Sequence, residues 1–304
     1  MHIFIGGTGR VGSSLLRSLL LKHKDICGNN FEGRFTVSPD GIFEFLKNSH
    51  NTQNLYSYNV SLHRLFKLLE TLKDNKSKIF FKNWNLSRSF SNYDKQIRLL
   101  KKKLLFRRYD GIWHGKYFYD ENKYLYLKPS NEYITKHLSN FINNIHKLKI
   151  IKNKKKYFLD DNTWNLYFTN EIDNLNINYK LIHIIRDPRY TVMSLINQNW
   201  SPSNIKDASD FYLSMMDDIL IKIKKIKKAK ILTVKYEDLI HNREKELKKI
   251  FRYLNIANSN TFKHINVYNG NEKHNFSSKN WKYLTKKLNY YIKYFNYNHR
   301  LSGK

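Results

Sequence analysis

A chain of 304 residues with 41% hydrophobic and 15% aromatic side chains is long enough to bury a substantial core and to fold on its own. Its formal charge of +30 draws it toward anions, whether a nucleotide, an acidic polymer, nucleic acid or a membrane surface, although a general richness in Lys, Asn, Ile, Tyr and Phe accounts for part of that excess without any partner. The single cysteine, Cys27, excludes an internal disulfide framework and a cysteine-based zinc cluster, and the twelve histidines show no metal-ligand spacing, so no metal is expected.

The first predicted strand, 2–5, begins too early to leave room for a signal peptide, and no apolar run approaches about 18 residues. The chain as given is therefore expected to be soluble and cytoplasmic. A glycine-rich turn follows, then a largely apolar helix over 13–22, which together make a βα unit. The next segment, KDICGNNF, does not read as a second buried strand. The stretch from about 48 to 152 is dense in Lys and Tyr, contains the turn-like run YDGIWHGKYFYDENKY, and is expected to be a largely helical insertion or lid. Weak strand signals at 78–81 and 157–159 precede two clear ones, KLIHII at 180–185 and ILTVK at 231–235. Between those, Phe211, Met215, Ile219, Ile223 and Ile226 recur at helical spacing and predict a helix over 209–227. Strands alternating with helices imply an α/β fold with a mostly parallel central sheet covered on both faces. We expect one domain over 1–304.

The turn IFIGGTGRVGSSLL places glycines between a buried strand and a helix, where the backbone approaches an anion closely and the free N–H groups of the first helical turn point at it. Gly9, Arg10, Val11, Gly12, Ser13 and Ser14 are the candidate phosphate-binding residues. Three readings are open at this point. Gly7, Gly9 and Gly12 match the dinucleotide pattern GxGxxG, and Glu32 lies twenty residues beyond Gly12, where an NAD(P)-dependent Rossmann enzyme carries its ribose acid. The same glycines have P-loop spacing, but Ser13 stands where a nucleoside triphosphatase or a magnesium-dependent kinase needs lysine. A basic module that binds nucleic acid or glycosaminoglycan without catalysis is the third.

A second motif narrows the choice. After KLIHII comes RDPRYTVMSL, in which Arg186 at a strand end and Ser194 on the following helix can converge on one phosphate, the first as a charged fork and the second as a hydroxyl donor. A structural ion pair between Arg186 and Asp187 is the competing role.

Three segments in this order resemble the sulfotransferases. GGTGRVGSSLL is similar to their 5'-phosphosulfate loop, RDPRYTVMS to their 3'-phosphate motif, and VKYEDLI, 234–240, to the strand and turn that follow. The resemblance covers most of the chain, least well over 48–152. It implies a P-loop-like three-layer fold and the donor 3'-phosphoadenosine 5'-phosphosulfate, leaving adenosine 3',5'-bisphosphate as product, with no metal. The arginine inside the loop is closest in style to tyrosylprotein sulfotransferases and related carbohydrate-modifying enzymes. Those tyrosine-modifying relatives carry a Glu-x-Arg element after the first helix. Glu32, Gly33 and Arg34 stand in a comparable place, which implies Glu32 as catalytic base and Arg34 as a substrate contact, against a plain ion pair between the two. Arg10 would stabilise the leaving phosphate. The sequence departs from the family at DDNTW, where Asn162 and Thr163 replace a lysine-containing element, so Asn162 could donate a hydrogen bond to the departing oxygen but no proton. NFSSKNWKYL resembles the segment that closes over the nucleotide, with Ser278 and Lys279 as contacts and Trp281 as packing. The acceptor bears a hydroxyl, on a carbohydrate or a peptide tyrosine; the basic surface suits an anionic glycan or an acidic peptide and nucleic acid is disfavoured. Acceptor and oligomeric state, homo-oligomer included, are not set by the sequence.

Overall fold

The computed structural model describes residues 1–52, 54–74, 85–109, 125–227, 230–259 and 277–297. The strand expected at 78–81, residues 110–124 of the turn-like run, and Asn275 and Phe276 of the C-terminal motif lie outside them. Five strands form a sheet in the order β2-β5-β1-β6-β7: β2 (Ile26–Gly28), β5 (Tyr157–Asp161), β1 (His2–Gly6), β6 (Tyr179–Ile185) and β7 (Ile231–Lys235). β2 runs parallel to β5 with Ile26 opposite Tyr157, and β6 runs parallel to β7 with Leu181 opposite Ile231. Helices flank this mostly parallel sheet, as the alternation of elements predicted. Strands covered on both faces read as unbroken apolar runs, which is why β1 and β6 were legible; all five residues of β1 are buried.

β2 is a correction. The segment KDICGNNF does form a strand, but one of three residues at the sheet edge, with only Ile26 and Cys27 buried. That is too short for any hydrophobic period to register. The order of strands also bears on the dinucleotide reading: a Rossmann sheet keeps its first two strands adjacent, whereas here β5 lies between β1 and β2.

The chain divides into two compact units, the first being Met1–Ile3, Asp25–Asn162 and Phe168–Tyr179. Besides β2 and β5 it holds α2 (Ile42–Asn51), α3 (Leu55–Asp74), α4 (Leu86–Ser89), α5 (Tyr93–Leu104), a ribbon of β3 (Arg108–Tyr109) against β4 (Leu125–Tyr126), α6 (Asn131–Lys152) and α7 (Thr169–Asn174). The described part of 48–152 is thus mainly helical. Its core is aromatic: Phe35 meets Phe90, Tyr93 and Phe141 edge-on. His146 stacks on Phe158 with ring centres 3.8 Å apart. His2 and His146 face each other through Nδ1 atoms 2.9 Å apart, so one imidazole donates and the other accepts. Burial lowers the pKa of both, His2 to about 4.

The second unit is Phe4–Lys24, Thr163–Tyr167 and Lys180–Lys304. It contains α1 (Ser13–Leu20), α8 (Pro188–Leu195), α9 (Ile205–Ile223), α10 (Tyr236–His241), α11 (Arg243–Leu254), α12 (Ser278–Lys287) and α13 (Asn289–Tyr294), with β7 and most of β6. α9 begins earlier than the predicted 209 and ends before 227. Asn204 caps it by accepting the Asp207 N–H at 2.9 Å, an N-terminal signal that the apolar repeat starting at Phe211 does not carry. Val192, Leu195, Tyr212, Met215, Met216, Leu284, Leu288 and Ile292 share one apolar cluster, which ties α8, α9, α12 and α13 together. Among the described residues no helix is long and apolar enough to cross a membrane, and no group of three or more His, Cys, Asp or Glu is placed to hold a metal.

Candidate functional site

In the second unit, β1 ends on the glycine turn and α1 begins at Ser13. Gly9 and Gly12 have φ of +83° and +90°, and Arg10 between them has +57°, so the turn is built from left-handed residues that only glycine adopts without strain. Gly12 is also crowded: a Cβ there would stand 2.3 Å from Cδ2 of Tyr236. α1 has Gly12 at its N-cap position with no side-chain cap and no acidic residue in its first turn. The N–H groups of Ser13, Ser14 and Leu15 have no intrahelical acceptors, and they present the positive end of the helix dipole to an anion. Ser13 and Val11 are buried, whereas Arg10 and Ser14 are exposed.

The turn gathers the residues that sequence analysis paired with it. Arg10 Nε donates to Ser194 Oγ at 3.1 Å, and Arg186 Nη1 donates to the carbonyl of Arg10 at 3.0 Å. Arg186 sits at the end of β6 and Ser194 on α8, as the spacing of RDPRYTVMSL predicted. The guanidinium of Arg186 lies 5.0 Å from the ring centre of Tyr236 and 6.0 Å from that of Tyr190, distances at which an aromatic face attracts a cation. Burial is the largest influence on Arg186 and lowers its pKa, while Tyr236 and Glu237 raise it. Asp187 binds Arg189, through contacts of 2.6 and 3.0 Å. Two cations, a hydroxyl and the amides of a helix start therefore meet at one turn, donors of the kind that can hold an anion.

Glu32, Arg34 and Asn162 belong to the first unit. Glu32 and Arg34 form an ion pair at 2.7 Å, both partly exposed, on the loop after β2. The structure thus contains the pairing that a purely structural role for Glu32 also requires. Asn162 follows β5, is fully buried, and donates through Nδ2 to Asp160 Oδ1 at 2.5 Å. Asp160 is pushed up to about 7 by burial first and by Asp161 second; the bond from Asn162 opposes this and Glu32 adds to it. A carboxyl that titrates near neutrality suits proton transfer.

At the C-terminal side Ser278 and Lys279 are exposed in the first turn of α12, which Ser277 caps by accepting the Asn280 N–H at 3.1 Å. Trp281 is packed inward, with the Arg189 guanidinium 4.0 Å from its ring centre. Three residues gain a place at these sites that sequence reasoning did not give them. Tyr236 stood inside the VKYEDLI motif, a signal that was present without an assigned role. Asp160 was visible only as half of an acidic pair, because burial cannot be read from two letters. Trp200, 51% exposed, has its six-membered ring 3.0 Å from where a Cβ on Gly9 would be, and nothing in the sequence marks it.

Residues 2–260 match the family model described as "Sulfotransferase family". The sulfotransferase domain from the curacin biosynthetic pathway is similar over 97% of both chains, at 14% identity and a TM-score of 0.52. The sulfotransferase domain of the Synechococcus PCC 7002 olefin synthase matches 98% of this chain and 94% of its own at 13% identity and a TM-score of 0.49. Sulfotransferase STF9 from Mycobacterium avium matches 99% of this chain and 78% of its own at 11% identity and a TM-score of 0.47. No protein of curated function matches the sequence. With a family match that spans most of its length, this chain belongs to the sulfotransferase family.

Proposed function

We propose that the protein moves a sulfuryl group from 3'-phosphoadenosine 5'-phosphosulfate to a hydroxyl acceptor by in-line displacement. The single observation that carries this reading is the joining of Arg10, Ser194 and Arg186 at the glycine turn. The donor set fits the donor molecule: left-handed glycines leave room for a phosphate against the backbone, with a Cβ at Gly12 barred by Tyr236, and Arg186 with Ser194 supplies a charged fork and a hydroxyl for a second phosphate. When bound, the donor supplies an activated sulfuryl group on a phosphate leaving group.

In this reading Arg10 and the amides from Gly12 to Ser14 stabilise the negative charge that builds on the leaving phosphate. Arg186 and Ser194 hold the 3'-phosphate, and Ser278 and Lys279 add contacts to the nucleotide. Glu32 takes the proton of the acceptor hydroxyl, a role worth roughly 10² to 10⁴ in rate, and Arg34 contacts the acceptor. Asn162 donates a hydrogen bond where relatives carry a lysine, which leaves charge stabilisation to Arg10 and the loop. A carbohydrate or peptide-tyrosine hydroxyl on an anionic acceptor suits the basic surface, and a reducing compartment such as the cytoplasm suits a chain with one cysteine.

A thermal shift with adenosine 3',5'-bisphosphate tests the reading. Ligand at about a hundred times its dissociation constant stabilises the native state by about 2.7 kcal/mol, so a clear rise in Tm is expected. No rise at millimolar ligand overturns the proposal, and a rise with NAD(P) instead would transfer it to hydride chemistry.

A further inference from the structure

The C-terminal segment grips the turn that carries Arg186 at two points. Arg189, 1% exposed, sends Nε and Nη2 to the Asp187 carboxylate at 3.0 and 2.6 Å. Its Nη1 reaches Thr285 Oγ1 at 3.4 Å, and its guanidinium lies 4.0 Å from the ring centre of Trp281. Thr285 and Trp281 both belong to α12. On the other side, Glu237 accepts the Asp187 N–H at 3.0 Å through one carboxylate oxygen and the Tyr297 hydroxyl at 2.9 Å through the other. Asp187 is therefore held by its side chain toward α12 and by its backbone toward Tyr297. It directly follows Arg186, which donates to the Arg10 carbonyl.

Stability does not explain this arrangement well. A buried Arg–carboxylate pair loses about as much in desolvation as it gains in attraction, and well-packed apolar residues often replace one without loss. What such a pair does supply is direction, because a planar guanidinium bound by two nitrogens fixes both partners in one geometry. The direction here is imposed on the residue next to Arg186. Tyr236 constrains the same guanidinium from the side of Gly12, so any slack at Asp187 shifts Arg186 against the phosphate turn.

We propose that Arg189 and Glu237 are positioning residues that hold Arg186 in register with the glycine turn, and that the C-terminal segment 277–297 thereby sets the preference for a nucleotide bearing a 3'-phosphate. The inference rests on the donor reading above and assigns that preference to residues bonded around the turn that carries Arg186.

Adenosine 3',5'-bisphosphate and adenosine 5'-monophosphate, titrated calorimetrically against the full chain, Arg189→Lys and Tyr297→Phe, test it. The unaltered protein is expected to prefer the bisphosphate. Lysine keeps the charge at 189 but loses the two-nitrogen grip, so the bisphosphate should bind about tenfold more weakly and the monophosphate less than about twofold more weakly. Tyr297→Phe keeps the ring and removes one hydrogen bond, and should reduce the preference by about threefold to fivefold. If Arg189→Lys does not fold, Tyr297→Phe decides alone. A general loss of packing would weaken both nucleotides equally or lower Tm only; an unchanged ratio in the folded variants overturns the inference and leaves the donor reading standing. A starting protein that does not distinguish the two nucleotides overturns both.

Discussion

Arg10, Ser194 and Arg186 are bonded to one another around the glycine turn, whereas the acidic and amide groups of the first unit are bonded in local pairs, Glu32 with Arg34 and Asp160 with Asn162. The first arrangement brings cations together against Coulomb repulsion, with a serine hydroxyl and a backbone carbonyl among their partners. In the second, Arg34 offsets the charge of Glu32, while Asp160 has an uncharged amide as partner and Asp161 beside it. Cations gathered at one turn suit a ligand of opposite charge, whereas an ion pair such as Glu32 with Arg34 serves structure equally well. The anion-binding half of the proposed chemistry is therefore better supported than the proton-handling half, and experiment should press hardest on the latter.

Glu32→Gln is the largest such test. As the base, its loss should lower turnover at least about a hundredfold while nucleotide affinity stays nearly constant. Normal turnover would reduce Glu32 to the partner of Arg34 and widen the contrast between the two units. Gly12→Ala attacks the other side of the comparison. It forces a Cβ onto Tyr236 at 2.3 Å in a left-handed conformation, and should destabilise the protein by about 2 kcal/mol or more, read from the denaturant midpoint. An unchanged midpoint would show that the turn is looser than a preformed site requires.

A pH series on stability addresses Asp160. Its folded pKa of about 7 exceeds the unfolded value of about 3.9, so the folded state holds a proton that the unfolded state releases. The resulting stabilisation is complete below about pH 4 and is lost as pH rises through about 7. His2 runs the opposite way: its pKa, lowered to about 4, gives stability that is present above about 6.5 and lost as pH falls toward 4. Asp160→Asn should therefore make the difference in Tm between pH 7.5 and pH 5 more positive than in the unaltered chain. The same difference in both proteins would mean that Asp160 is ionised throughout. The smallest effect belongs to Ser194→Ala, which removes the acceptor of Arg10 Nε and should weaken adenosine 3',5'-bisphosphate by about fivefold, or about 1 kcal/mol.

The same division runs through what could be read from the letters. β1 and β6 were legible because a strand buried on both faces is an apolar run, β7 because ILTVK is rich in β-branched residues although only Val234 is buried, and the anion turn because glycines at fixed spacing leave few physical alternatives. Arg186 and Ser194 followed from a spacing that a strand–turn–helix makes local. β2 was missed because three residues at an edge carry no period, and the start of α9 because its signal was a single asparagine before the repeat. The roles around Asp160 and Tyr236 depend on burial and on partners distant in the chain: Tyr236 meets a glycine more than two hundred residues away in sequence. No window of neighbouring letters contains that contact.

Trp200 beside Gly9 makes the site observable as well as chemical. An indole half open to water and in touch with the glycine turn is a fluorophore whose emission depends on what occupies that turn. Entry of a nucleotide should exclude water from one side of the ring and alter its emission, so occupancy can be followed in real time without a label. Trp200→Phe would silence that signal, and comparison of the two proteins would separate light from Trp200 from that of the other tryptophans.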